Sequence, residues 1–159
     1  MCIEIRIAKD DDAAALAELQ RSSIRQALGA DYSSEVLECF ASFVTVDRFL
    51  EPKKPCVRIV GERDGAILGF GTLFLDGTLG GLYVVAAHHA EGIGGRLLEH
   101  LEETARHHGL TSLRLESTIT AAPFYAHKGY LPRPRVLHAL SNTPPISMAV
   151  IPMEKSLTC

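Results

Sequence analysis

Three glycines fall within four positions, Gly92, Gly94 and Gly95, in the stretch "VAAHHAEGIGGRLLEHLEE" that runs from Val85 to Glu103. Glycine adds no helix propensity, and a helix that starts without Ser, Thr, Asp or Asn leaves its first N–H groups without a side-chain cap. Such groups, bare and at the positive end of a helix, suit an anion such as a phosphate. A tight turn made only for packing is the competing reading. Two phosphate loops fail on the residues present. A Walker loop needs Gly-Lys-Ser/Thr, whereas Gly94 is followed by Gly95 and Arg96. The dinucleotide pattern G-x-G-x-x-G opens at Gly92 and Gly94 but has Leu97 in its third glycine place. About 20 residues on, Thr111 and Ser112 stand where an acid should meet the ribose.

The remaining reactive types exclude other chemistry. Cysteines stand at 2, 39, 56 and 159, without Cys-x-x-Cys or a neighbouring His spacing, so they read as scattered reduced thiols. His88–His89 and His107–His108 are adjacent pairs whose side chains point apart on a helix or strand, so no metal site is expected. A net charge of −3 gives no footprint for nucleic acid. With 47% hydrophobic and 22% charged residues, the 159-residue chain reads as one globular domain, residues 1–159, rather than a disordered one. No apolar run approaches ~20 residues, and "MCIEIRIAKDDD" lacks a signal-peptide core. A soluble, cytoplasmic protein without membrane contact is expected.

The elements that must position the glycine turn follow from periodicity. "IEIRIA" (Ile3–Ala8) alternates as a strand; a helix follows, with Leu16, Leu19, Ile24 and Leu28 on one face and Gly29 as its stop. Ser33 or Ser34 caps a second helix, and the chain up to "DRFLEPKKP" reads as helical or irregular. Strands are expected over Cys56–Glu62, Ala66–Leu75 and Gly81–Val85, with turns at Asp64–Gly65 and Asp76–Gly77. A helix over Gly92–His107 keeps Ile93, Leu97, Leu101 and Ala105 in register, and Gly109 ends it. "SLRLES" is a fifth strand, then a short helix has Thr120 as cap, Pro123 in its first turn and Gly129 as stop. "RVLHAL" and "ISMAVIPMEK" are two more strands. The order βααβββαβαββ implies an α/β domain with a mixed, mostly antiparallel central sheet flanked by helices.

With these elements placed, "GLYVV" followed by "HHAEGIGGRLL" resembles motif A of the GNAT superfamily of N-acetyltransferases, whose core is Arg/Gln-x-x-Gly-x-Gly/Ala. His89 takes the Arg/Gln place, and Gly92 and Gly94 the small-residue places. "AAPFYAHKGY" (Ala121–Tyr130) resembles the family's A-x-x-F-Y-x-x-x-G-F/Y segment after strand five. "SIRQALGADYSSEVLECFA" and the A-x-PFY-x-x-x-GY ending look like one branch of that family. The departures are His89 for Arg/Gln, Ala86–Ala87 for Pro-Asp, and Thr118 where many members carry Asn.

The resemblance implies an acyltransferase that uses acetyl-CoA as cosubstrate, without a metal. N–H groups of residues 90–96, among them Glu91, Gly92, Ile93, Gly94, Gly95 and Arg96, would meet the pyrophosphate together with His89. Backbone groups of Leu82, Tyr83 and Val84 would pair with the pantetheine arm in a slot between strands four and five, near Thr118. The Val84 N–H would stabilise the oxyanion of the tetrahedral intermediate, and Tyr125 would donate a proton to the leaving thiolate. For the base, Glu116 at the end of strand five comes before Tyr83 through water and before His138. Asp31, Tyr32 and Glu35 would shape the acceptor side, or simply cap and cover a helix. The implied reaction is acetyl transfer to a primary amine of a small molecule or a peptide or protein. The alternative is a catalytically silent acyl-CoA-binding regulatory domain, and the resemblance is compatible with a homodimer.

Overall fold

The computed structural model describes residues 3–158, so Cys2 and Cys159, two of the four cysteines read as reduced thiols, lie outside the described residues. Cys39 and Cys56 are free and partly buried. Strand β1 (Glu4–Ile7) leads through a 3₁₀ turn at Asp10–Asp12 into helix α1 (Ala13–Ala27). Helix α2 (Ser34–Ser42) starts at Ser33, whose side chain accepts from the Val36 N–H, which selects between the two expected caps. The undecided stretch that follows contains a further helix, α3 (Val46–Leu50), capped by Thr45.

Strands β2 (Cys56–Arg63), β3 (Ala66–Phe74) and β4 (Leu79–Val84) form an antiparallel meander, and β1 adds to the outside of β2. The β2–β3 turn has Asp64 and Gly65 both at positive φ, the primed-turn geometry that matches strand twist. A 3₁₀ turn (Ala86–Glu91) and helix α4 (Ile93–His107) follow. Strand β5 (Ser112–Thr118), helix α5 (Ala122–His127), and strands β6 (Leu131–Pro132), β7 (Val136–Asn142) and β8 (Pro145–Ser156) complete the chain. The second sheet is centred on β8, with β5 along one edge and β6 then β7 along the other. The short β6 was not foreseen. Its two residues are exposed, so periodicity carries no signal for it.

Helix α4 covers one face of the first sheet through Ile93, Leu97, Leu101 and Ala105, all buried as their spacing requires. Helices α1 to α3 cover the other face, where Leu16, Val60, Phe70 and Tyr83 meet. Among the described residues no helix is long and apolar enough to cross a membrane.

Between the two sheets, β4 and β5 do not form a ladder. They touch at one end only, through a parallel bridge of Thr78 with Arg114 and a hydrogen bond from the Arg114 N–H to the Gly77 carbonyl at 3.0 Å. Among the described residues that bridge is the one parallel pairing, and the strand ladders are antiparallel. Beyond it the strands part. The β3–β4 register shifts between Thr72, opposite Gly81, and Leu73, opposite Leu79, so Gly80 is the extra residue of a bulge on β4. Gly81 has φ +119°, and a Cβ there would stand 3.1 Å from the Tyr83 ring, so only glycine fits.

Candidate active site

Which backbone groups β4 offers to the gap follows from its pairing with β3. The Val85 N–H donates to the Leu68 carbonyl at 2.8 Å, and hydrogen-bonded pairs alternate along an antiparallel ladder. Tyr83, paired with Phe70, therefore turns its N–H and C=O to β3, while Leu82 and Val84 turn theirs to the gap. Of the three expected backbone partners, Tyr83 has no main-chain group to spare. The Val84 carbonyl is already held by His89 Nε2 at 2.8 Å. The Leu82 N–H lies against the Tyr125 hydroxyl and counters part of the burial effect on it. The Val84 N–H and the Leu82 carbonyl are the groups left on this edge.

Tyr125 comes from α5, which packs beside the end of β5. Its ring is buried, edge-on to Phe124 at 5.2 Å and to Tyr130 at 5.7 Å. Burial first, and the nearby Tyr83 second, push its hydroxyl well above the ordinary phenol range. Tyr83 is raised too, by burial, with the Gln20 side chain pulling the other way. The start of α5 differs from expectation. Thr120 is not the cap: its hydroxyl donates to Asp31 at 2.6 Å, and the Thr118 hydroxyl accepts from the Ala121 N–H at 3.1 Å. Tyr32 closes the same end of the gap, donating to the Ala149 carbonyl at 2.6 Å and accepting from the Ile119 N–H at 2.8 Å. Asp31 and Tyr32 thus fasten the α1–α2 junction across to the β5–α5 turn, while Glu35 stays on the exposed first turn of α2.

At the other end of the gap, α4 begins at Gly92, which is left-handed at φ +77°. No side chain caps this helix and no acid stands in its first turn. The Arg96 N–H is taken by the Gly92 carbonyl at 3.2 Å, so the unpaired donors of the first turn are those of Ile93, Gly94 and Gly95. The Arg96 guanidinium turns away, to the Ile3 carbonyl at 3.3 Å. Glu91 is bonded to Arg63 at 3.0 Å and to His88, which ties the 3₁₀ turn to the β2–β3 hairpin. His88 first, and Arg63 second, hold its carboxyl below the usual range.

Lys128 escaped the sequence reading. A Cβ on Gly95 would stand 3.1 Å from Lys128 Nζ, so this ammonium lies against the first turn of α4. A cation at the positive end of a helix is the wrong sign for helix stability, and an anion between them would satisfy both. The signal was its place directly before Gly129, which returns α5 toward α4.

Two of the three base candidates come together. Glu116 on β5 pairs with His138 on β7, across β8, each about half exposed. Both lie on the face that carries Met148 and Val150, which pack toward α1 and α2, away from α4. Tyr83, the third candidate, stays on β4. Among the described residues no cluster of three or more His, Cys, Asp or Glu side chains forms.

Residues 17–130 match the profile of the acetyltransferase (GNAT) family. An IAA acetyltransferase of Azospirillum brasilense is 34% identical over 90 residues, which are 50% of this chain and 58% of that protein, so the match spans little more than half of that relative. A crystal structure from Rhodopseudomonas palustris, described as a GCN5-related N-acetyltransferase (aminotransferase, class-II), superposes with a TM-score of 0.90 at 26% identity, covering 98% of this chain and 96% of that one. The PaiA N-acetyltransferase of Thermoplasma acidophilum, solved in complex with coenzyme A, shares the fold at a TM-score of 0.72 and 21% identity, covering 98% and 99% of the two chains.

Proposed function

Because the chain belongs to the GNAT acetyltransferase family, we propose that it transfers an acetyl group from acetyl-CoA directly to a primary amine of a small molecule. The observation that carries this reading is the parting of β4 and β5, with the Tyr125 hydroxyl and the outward edge of β4 at the gap. The free donors of Ile93, Gly94 and Gly95, with Lys128 beside them, fit a pyrophosphate. His89 acts there less as a phosphate ligand than as a clamp on the Val84 carbonyl, and Lys128 supplies the positive charge that the family's Arg/Gln place lacks here. Acetyl-CoA supplies an activated thioester. The amine nitrogen forms the new N–C bond as the C–S bond breaks, and the nitrogen gives up one proton to a base. The Val84 N–H is the free donor on this edge for the charge that develops on the acetyl oxygen.

Glu116, with His138 bonded to it, is the base in this reading, reached through water because both are half exposed. A lysine-type amine with a pKa near ~10 is about 0.1% free base at pH 7, so proton removal matters most at low pH. Tyr125 is a hydrogen-bond donor to the leaving sulfur rather than a full proton donor. An ordinary phenol near ~10 is already about 1.5 pH units weaker as an acid than a thiol near ~8.5, and burial pushes Tyr125 further in that direction.

Gly94→Asp tests the cosubstrate site. A Cβ there meets Phe124 no closer than 3.5 Å, an ordinary contact, and an acid in the first turn favours the helix. The melting temperature should therefore hold or rise while acetyl-CoA affinity, measured by calorimetry, falls about tenfold or more through repulsion of the phosphates. Unchanged affinity in the folded variant removes the α4 turn from cosubstrate binding.

A further inference from the structure

On the face of the first sheet opposite α4, a cavity of about 280 Å³ opens between α1–α3 and strands β2–β4. Its walls combine an aromatic body with an excess of positive charge. Phe40, Phe49, Phe70 and Tyr83 give it an aromatic body, with Phe49 edge-on to Phe70 at 5.6 Å and Phe70 stacked on Tyr83 at 5.4 Å. Arg48, Lys53, Lys54 and Arg58 give it four cations against one acid, Glu51. Lys54 is neutralised by Asp76 at 2.8 Å. Arg58 is not. Its Nε donates to the Thr72 hydroxyl at 3.0 Å and its Nη1 to the Phe49 carbonyl at 3.1 Å, both neutral. Among the described residues no carboxylate pairs with it, although its guanidinium is half-buried and lies 4.7 Å from the centre of the Phe49 ring. Burial lowers its pKa, the mark of a charge without a counterion.

The cavity also reaches the reaction region. Tyr83 lines it and lies close enough to Tyr125 to affect its ionisation, while Thr72 and Gly80, at the end of β4 still held to β5, also line it. We propose that this cavity is the acceptor site, and that it selects an amine bearing a carboxylate on an aryl or branched-alkyl body, a free amino acid or close analogue. Arg58 reads the carboxylate, the aromatic rings hold the body, and the amine points past Tyr83 toward the gap between β4 and β5. Polycationic amines are refused by the same excess of positive charge. This inference rests on the acetyl-transfer reading for the direction of the amine, but its binding content is tested without turnover.

The probes are N-acetylphenylalanine and its neutral C-terminal amide, which lack an ionisable amine and so differ only at the carboxyl group. Calorimetry on the full chain should show the acid binding about 10- to 100-fold more tightly than the amide, the range of a hydrogen-bonded charge pair. Arg58→Met should remove that ratio. Arg58 bonds Phe49 and Thr72, so the variant is compared only after its melting curve shows it folded. Lys53→Glu, at the exposed rim of the cavity, serves as the second variant and should cut the ratio about threefold. Equal binding of acid and amide by wild type, a ratio that survives in folded Arg58→Met and in Lys53→Glu, or tighter binding of spermidine than of the acid overturns the proposal. A protein that binds the acid yet releases no CoA with any amine refutes acetyl transfer and leaves the cavity's preference standing. One that releases CoA without preferring the acid does the reverse.

Discussion

Tyr125→Phe separates the two things this residue does. The ring keeps its edge-on contacts with Phe124 and Tyr130 at 5.2 and 5.7 Å, since phenylalanine retains the same carbons. What goes is the hydroxyl and its contact with the Leu82 N–H. One neutral hydrogen bond is worth about 1 kcal/mol, which in a chain of this size lowers the melting temperature by about 2–4 °C. The catalytic effect should be larger. A hydrogen bond to a developing thiolate is worth about 1.5–3 kcal/mol, because one partner is charged, and that converts to about 10- to 150-fold in kcat. The range stops short of what complete proton transfer gives, because a raised phenol is the weaker acid of the two.

The assay is release of free CoA, followed with a chromogenic thiol reagent, using the best acceptor from an amine panel. Acetyl-CoA affinity should change little, since the lost bond forms as the C–S bond breaks. The direction of the pKa adds a second constraint. A folded pKa above the ordinary value keeps the hydroxyl protonated through and beyond pH 10, so wild-type kcat should show no descending limb there that the Phe variant lacks. Two results refute the reasoning: turnover within a factor of two of wild type in a folded variant, or a limb near pH 10 that disappears with the hydroxyl.

Glu116→Gln should lower kcat/KM most at the acid end of the pH range, where free amine is scarcest, and an unaltered pH–rate profile assigns proton removal to another group. Glu102→Leu should destabilise the fold by about 3 kcal/mol in a denaturant titration, because it strands Lys155 and the Tyr130 hydroxyl, both bonded to the buried Glu102 carboxylate. A loss under 1 kcal/mol would show this ion pair and its Tyr130 hydrogen bond to be dispensable. Lys54 and the Thr78 N–H depress Asp76 to about 2, so its stabilisation is complete above the unfolded carboxylate range and is lost as pH falls through that value. Asp76→Asn should therefore differ in stability from wild type at pH 7, with most of that difference gone by about pH 2 and the two curves meeting only below it; a constant offset would contradict the linkage.

The parts of the fold legible in the sequence are those in which an element reports on itself. Helix α4 shows its buried face through Ile93, Leu97, Leu101 and Ala105, and the β2–β3 turn shows itself through Asp64–Gly65. Partners distant in sequence stayed out of reach. Glu102 and Lys155 are 53 positions apart, and Tyr32 and Ile119 are 87 apart, so tertiary register alone decides that they meet. Thr120 shows a local rule losing to such a contact: it has the right chemistry for a cap, but Asp31 takes its hydroxyl and Thr118 serves the turn. Arg58 shows the same limit in a strand. Alternation in "CVRIV" places it on the face opposite Val57 and Ile59, and nothing in a period of two tells whether a helix covers that face. Here α3 does cover it, through the Phe49 carbonyl.

The slot itself arises at this same level. Nothing in "GLYVV" distinguishes Tyr83 from its neighbours as a backbone donor, because each residue carries one N–H and one C=O. The hydrogen bond from Val85 to Leu68 fixes the phase of the ladder, and the phase hands Tyr83 to β3 and leaves Leu82 and Val84 on the open side. Gly80 adds one residue to β4 where it meets Thr72, and the strand bends from the end at which Thr78 and Arg114 still hold it to β5. Edge groups left bare by that bend are an aggregation hazard in most proteins. Here they are partly engaged from within, the Val84 carbonyl by His89 and the Leu82 N–H by Tyr125, so what stays open is a single donor and a single acceptor facing a narrow gap. That is too little edge to recruit another strand, and it suits a ligand with amides of its own.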